Sequence, residues 1–209
     1  MKKALLLIVV LALALGITYL VLHKSESGSE KQSEKDSPLS VSSKTSTFNH
    51  SFAAVLDSYF QLSDDFINGD TSRITVTAEK LSRTVENIRF DQFKADTSVV
   101  ETAVSLAQSI PGEIAGLIGE ISMEQKKREF NMITADLYSL IRVVKYDGSI
   151  IYHMSCPSAF PDSTAGDWLS ATNKIVNPYL DNHAIVNQDK KSDCGELKDS
   201  LHFTTPVSE

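Results

Sequence analysis

The sequence predicts a mostly α-helical protein: an antiparallel up-and-down bundle of about four helices, closed by a small irregular C-terminal cap. Three observations carry this reading. Apolar residues recur at three- and four-residue steps from position 49 to about 144, the period of a helix with one buried face. Capping residues and Gly-containing breaks divide that stretch into pieces of helical length. Beyond Val144, Pro157, Pro161, Gly166 and Pro178 preclude any further long helix.

The first helical segment places Phe52, Val55, Leu56, Tyr59, Phe60, Ser63, Phe66 and Ile67 on one broad face, and Asn68-Gly69-Asp70 ends it. Asp70 or Thr71 caps the second, whose stripe is Ile74, Ala78, Leu81, Val85 and Ile88. The third begins at Asp96 or Thr97 and runs from Val99 to Ile121. Pro111-Gly112 predicts a kink in it or a split into two. Ser122 and Gln125 form a capping box for the fourth, which buries Phe130, Ile133, Leu137, Leu140, Ile141 and Val144. Short connections between such helices make neighbours antiparallel. Asp147-Gly148 is a turn, Ser149 to Met154 a short extended segment, and Trp168 to Val176 a short helix. Trp168, Leu169, Ile175, Pro178 and Tyr179 are the expected anchors of the cap.

The N-terminus points to export. Two lysines precede an uncharged apolar run of 19 residues, Ala4 to Leu22. At ~1.5 Å per residue that run spans ~28 Å, close to the hydrocarbon thickness of a bilayer. Residues 1–23 read either as an uncleaved signal-anchor or as a signal peptide cut after Ala12-Leu13-Ala14. Both readings put the remainder outside the cytoplasm, and the first ties it to a membrane. Residues 24–47, rich in Ser, Lys and Glu, read as a disordered linker with a reach of roughly 25–30 Å. Residues 48–205 form the helical domain with its Cys/Trp cap, and 206–209 a tail.

The formal net charge is −7. The one clustered basic run, Lys126-Lys127-Arg128, sits beside Glu124 and Glu129 and reads as a solvated helix face, as does the acidic pair Asp64-Asp65. Nucleic-acid binding is therefore not expected. Nothing resembles a nucleophile elbow, a Gly-rich phosphate loop or a zincin helix, so the expectation is a non-enzymatic domain.

The chemistry-bearing residues gather near the C-terminus. His153, Met154, Cys156, His183 and Cys194 are soft or borderline ligands that suit copper(I) or, as two cysteines and two histidines, zinc. On an extended segment Met154 and Cys156 share one side while His153 points to the other. The same cysteines, in an exported protein, can instead pair as a Cys156–Cys194 disulfide. That bond would close a loop of about 38 residues, contributing roughly 4 kcal/mol on the loop-entropy account. Both readings stand on the sequence.

Cys156-Pro157 with Ala159, Trp168-Leu169-Ser170, Asn177-Pro178-Tyr179 and Cys194-Gly195 occur here in that order. In these pieces the chain resembles a bacterial family known as domain of unknown function 3347, over about residues 50–198. Where that family has methionine after Cys-Pro this chain has Ser158, and where it has glycine after Asn-Pro-Tyr-x this chain has Asp181. The resemblance implies a helical domain of the bacterial cell envelope, on the periplasmic side and anchored to the inner membrane if the N-terminal segment is not cleaved. It also implies an association with periplasmic adaptors of heavy-metal efflux pumps, and hence an accessory role in copper handling. The alternative is a disulfide-stabilised structural or protein-interaction module with no metal.

Overall fold

The structure, a computed structural model, describes residues 43–180 and 194–203. The apolar run from Ala4 to Leu22, most of the expected linker, His183 and the expected tail lie outside the described residues. The elements are β1 (Ser43–Lys44), α1 (Ser46–Asn68), α2 (Thr71–Glu86), a 3-10 turn (Phe90–Gln92), β2 (Phe93–Lys94), α3 (Thr97–Gly119), α4 (Met123–Val144), β3 (Ile151–Cys156), β4 (Gly166–Ser170) and β5 (Glu196–Leu201). The described part is mostly helical, with four helices followed by a three-stranded antiparallel sheet. Residues 43–47, assigned to the linker from the sequence, take part in this structure. Ser43–Lys44 pairs antiparallel with Phe93–Lys94, and the Thr45 hydroxyl accepts the Phe48 N–H to cap α1.

Local chemistry explains the helix limits. Gly69 closes α1 in the left-handed region at φ 67°. Asp70 accepts the Arg73 N–H at 3.0 Å and starts α2. The Ser122 hydroxyl accepts the Gln125 N–H and starts α4. Of the kink or split expected at Pro111 the split does not occur: helix α3 runs through it as one helix. Ile110, Ile114 and Leu117, on both sides of the proline, are buried, so core contacts hold the two halves in one helix.

Buried apolar residues run through all four helices and into the sheet. The α1 stripe meets α4 through Tyr59 on Phe130, with ring centroids 5.3 Å apart, and Phe66 on Phe130 at 4.8 Å. Two polar features read as solvated are in fact interior. The Asp65 carboxylate is buried, held by Arg73 Nε at 2.8 Å and by the Thr77 hydroxyl. Lys126 and Lys127 are each only 7% exposed. Lys126 Nζ donates to the Leu117 carbonyl at 2.7 Å, placing a cation on the carbonyls that end α3. Of the basic trio, Arg128 alone has the expected surface role, pairing with Glu124 and Asp162 and covering the Phe160 ring.

The expected irregular cap is instead an antiparallel sheet in the order β4-β3-β5. The helix expected over Trp168–Val176 is absent. Gly166 to Ser170 is extended because it pairs residue for residue with Cys156 to Tyr152. Its other backbone edge is not left open. The Asp167 N–H donates to Asn131 Oδ1 at 2.7 Å, and the Leu169 N–H to the Tyr59 hydroxyl at 3.1 Å. Helix side chains thus substitute for a fourth strand.

Tyr59 is the deepest of these contacts. Its hydroxyl also lies 2.7 Å from Thr134 Oγ1, and burial pushes its pKa well above the ordinary phenol range. Tyr59→Phe should therefore leave the Leu169 N–H unpaired, lowering unfolding free energy by about 1–3 kcal/mol. Urea denaturation of the variant, with helix content unchanged by circular dichroism, measures this. An unaltered midpoint would show that the bond contributes nothing.

Candidate functional site

The sheet sorts the chemistry-bearing side chains onto two faces, because cross-strand partners share a face. Met154 lies opposite Trp168 and Cys156 opposite Gly166. His153 lies opposite Leu169 on one side and Asp199 on the other, while Ser155 faces Asp167. The division expected along β3, with Met154 and Cys156 together and His153 apart, is the one observed.

On the Met154 face, Cys156 and Cys194 are joined as a disulfide with their Cα atoms 5.2 Å apart. The residues around the bond hold one another. Asn177 Nδ2 donates to the Cys194 carbonyl at 2.8 Å, and Asn177 Oδ1 accepts the Tyr179 N–H at 2.8 Å. The Tyr179 carbonyl accepts Lys127 Nζ at 2.8 Å, and its hydroxyl donates to the Asp167 carbonyl. The Tyr179 ring lies against Phe130, Phe160 and Trp168. Trp168, Leu169, Pro178 and Tyr179 are all buried as expected. Ile175, expected as an anchor, is 49% exposed and only flanks Gly195.

Gly166 is required here by space. A Cβ at that position would stand 2.6 Å from the Ala159 Cβ and 2.8 Å from the Tyr179 ring.

The His153 face forms a cleft of about 470 Å³ lined by Tyr138, His153, Ser155, Asp167, Lys198 and Asp199 among others. Lys198 and Asp199 are adjacent, and a regular strand would turn them to opposite sides. The register shift opposite His153 and Met154 lets both line the same cleft. His153 Nε2 lies 3.5 Å from Asp167 Oδ2, and its ring packs on Tyr138 with centroids 4.4 Å apart. The Tyr138 hydroxyl donates to Asp199 at 3.0 Å. The hydrogen bond from His153 first, then that from Ser155 and the charge of Lys198, hold the Asp167 carboxyl below its ordinary range against a partial burial cost. Tyr138 is pushed up by burial and by its carboxylate partner. Asp167 accepts from both Ser155 and His153, so no serine–histidine–carboxylate relay is arranged.

Among the described residues the candidate metal ligands His153, Met154, Cys156 and Cys194 do not form one donor set in this form. The disulfide consumes both thiolates, Met154 is fully buried, and His153 lies across the sheet. Among the described residues no group of three or more His, Cys, Asp or Glu side chains is placed to hold a metal ion. The donor set therefore does not fit copper(I) or zinc while the bond is closed.

Sequence reasoning passed over Asn131, Ser155 and Tyr138 and placed Lys127 on a solvated face. Each acts through a partner distant in sequence, and no local pattern marks it. No protein-family model, no curated protein and no solved structure matches the chain.

Two outcomes follow from this geometry. Gly166→Ala should destabilise the protein by about 1–3 kcal/mol, the usual cost of overpacking, and chemical denaturation at neutral pH reads it. An unchanged midpoint would mean that the Tyr179 ring can step aside. Asp167 supplies a pH signature. Because its folded pKa is depressed, its stabilisation is complete above the ordinary carboxylate range, near pH ~4, and is lost as pH falls through the folded value. The thermal midpoint of the native chain should thus fall more between pH 5 and pH 2.5 than that of Asp167→Asn. Parallel curves would remove Asp167 from the acid response.

Proposed function

We propose that this chain is a disulfide-pinned, non-enzymatic binding module of the bacterial envelope. In this reading its four helices form an antiparallel up-and-down bundle that presents the C-terminal sheet to a protein partner. The observation that carries the reading is the Cys156–Cys194 bond, surrounded by side chains that complement its closed form. Structural disulfides belong to oxidising compartments, which agrees with the apolar run behind two lysines at the N-terminus. The partner class suggested by the family resemblance is an envelope protein such as a metal-efflux adaptor. The side chains in the His153 cleft hydrogen-bond and pair with one another, which suits recognition more than chemistry.

A second reading rests on one observation, that Met154 and Cys156 share a face of β3 beside Cys194. In a reduced protein these three are the copper(I) ligand set, with His153 left out. Titration of the reduced chain with copper(I) against a competing chelator tests it. Binding lost in Cys156→Ser supports this reading, and no retention at micromolar levels ends it.

The main reading is tested by thiol counting. Protein taken from the envelope fraction, acid-quenched and denatured without reductant, should show no maleimide-reactive cysteine. The double variant Cys156→Ser/Cys194→Ser should lose about 4 kcal/mol of stability, as expected for a loop of that length. Two reactive thiols per chain in the quenched native protein would overturn the proposal.

A further inference from the structure

The two sulfurs of the disulfide are not equivalent. Cys156 is 1% exposed, on the central strand among Met154 and Trp168. Cys194 is half-buried, and it lines a cleft of about 250 Å³ together with Ser158, Phe160, Lys127 and Tyr179. Ser158 Oγ lies 3.8 Å from Cys194 Sγ. Thiol–disulfide exchange requires an incoming thiolate to reach one sulfur and the other to leave.

We propose that Cys194 is a thiol-exchange site, the sulfur through which a dithiol reagent or protein opens and closes the bond, with Cys156 as the leaving and reclosing group. This rests on the disulfide reading above and adds a chemistry to it. In the first step the incoming thiolate bonds to Cys194 Sγ. The S–S bond breaks, its electron pair departs on Cys156 Sγ, and that sulfur takes a proton from solvent. In the second step the partner's other thiolate attacks the partner sulfur of the mixed disulfide. Cys194 is expelled and protonated, and the partner leaves as a disulfide. The protein has gained two electrons and two protons, and the partner has lost the same number. The Ser158 hydroxyl stands where it can donate to the thiolate forming on Cys194.

Burial sets how the site behaves. A thiolate on Cys156 emerges in apolar surroundings that disfavour it, so it is a poor leaving group and readily returns to Cys194. A monothiol therefore gives a small, reversible adduct, whereas a dithiol drives the reaction through. Opening also removes the covalent tether on Cys194, whose carbonyl holds Asn177 and through it the Tyr179 N–H. The redox state of the bond is thereby coupled to the packing of Tyr179.

The experiment uses the native full chain and glutathione as the monothiol probe. After brief incubation and acid quench, the denatured protein is labelled with a maleimide and mapped by peptide mass spectrometry. Glutathione should sit on the Cys194 peptide and maleimide on the Cys156 peptide, in at least tenfold excess over the reverse. At equal thiol concentration, dithiothreitol should reduce the bond at least tenfold more completely than glutathione. Native alkylation should also be at least tenfold faster for Cys194 in Cys156→Ser than for Cys156 in Cys194→Ser. If either variant fails to fold, the mapping of the native chain decides. Two free thiols in the protein as isolated would overturn the disulfide reading and this proposal together. An intact bond whose adduct maps to Cys156, or evenly to both, overturns this proposal alone.

Discussion

Tyr179 enters the interior with each of its polar groups engaged: the N–H by Asn177, the carbonyl by Lys127 and the hydroxyl by the Asp167 backbone. That condition governs the C-terminal part of the chain. A buried backbone group without a partner costs about 1–3 kcal/mol, so a loop residue can be this deep only when its surroundings supply partners. Here they come from three places in the sequence: α4, β4 and the turn that carries Asn177. The same turn grips the Cys194 carbonyl, so the ring, the disulfide and the start of β5 are fixed together. Gly166 completes the arrangement by leaving room for the ring.

The helical layer meets the sheet by a related device. Tyr59 and Asn131 occupy the outward N–H groups of β4, which closes that edge with side chains. Two consecutive lysines of α4 do comparable work, one on the last carbonyls of α3 and one on Tyr179. A lysine at such a site contributes twice: its methylenes cover apolar surface, and its ammonium satisfies carbonyls that the helix end leaves without partners. Charge on this part of α4 thus serves as internal polar bonding.

The helices were legible because their information is local. Stripes such as Ile74, Ala78, Leu81 and Val85 or Phe130, Ile133, Leu137 and Leu140 are buried where periodicity puts them. Asp70 and Ser122 cap where their side chains predict. The sheet was not legible, for the opposite reason. β5 reads Glu-Leu-Lys-Asp-Ser-Leu, with neither alternation nor β-branched residues, and becomes a strand only because β3 offers it an edge. Trp168 and Leu169 fit a helix as well as a strand until pairing with Met154 and His153 decides. Lys126 and Lys127 were misread because a run of charges looks solvated unless the carbonyls it will meet are known.

Strand geometry also decides how the soft ligands can be used. His153, Met154 and Cys156 look like one cluster in the sequence, but alternation sends His153 to a different face. There it joins Asp167, Tyr138 and Asp199. What remains beside Met154 is a pair of sulfurs whose state is a matter of oxidation. While they are bonded, Tyr179, Asn177 and β5 are held together, and the described residues form no soft-metal site. Once they are separated, the thiolates regain ligand character at the moment their covalent tie is lost. Packing order around Tyr179 and the availability of two thiolates are thus opposed through one bond.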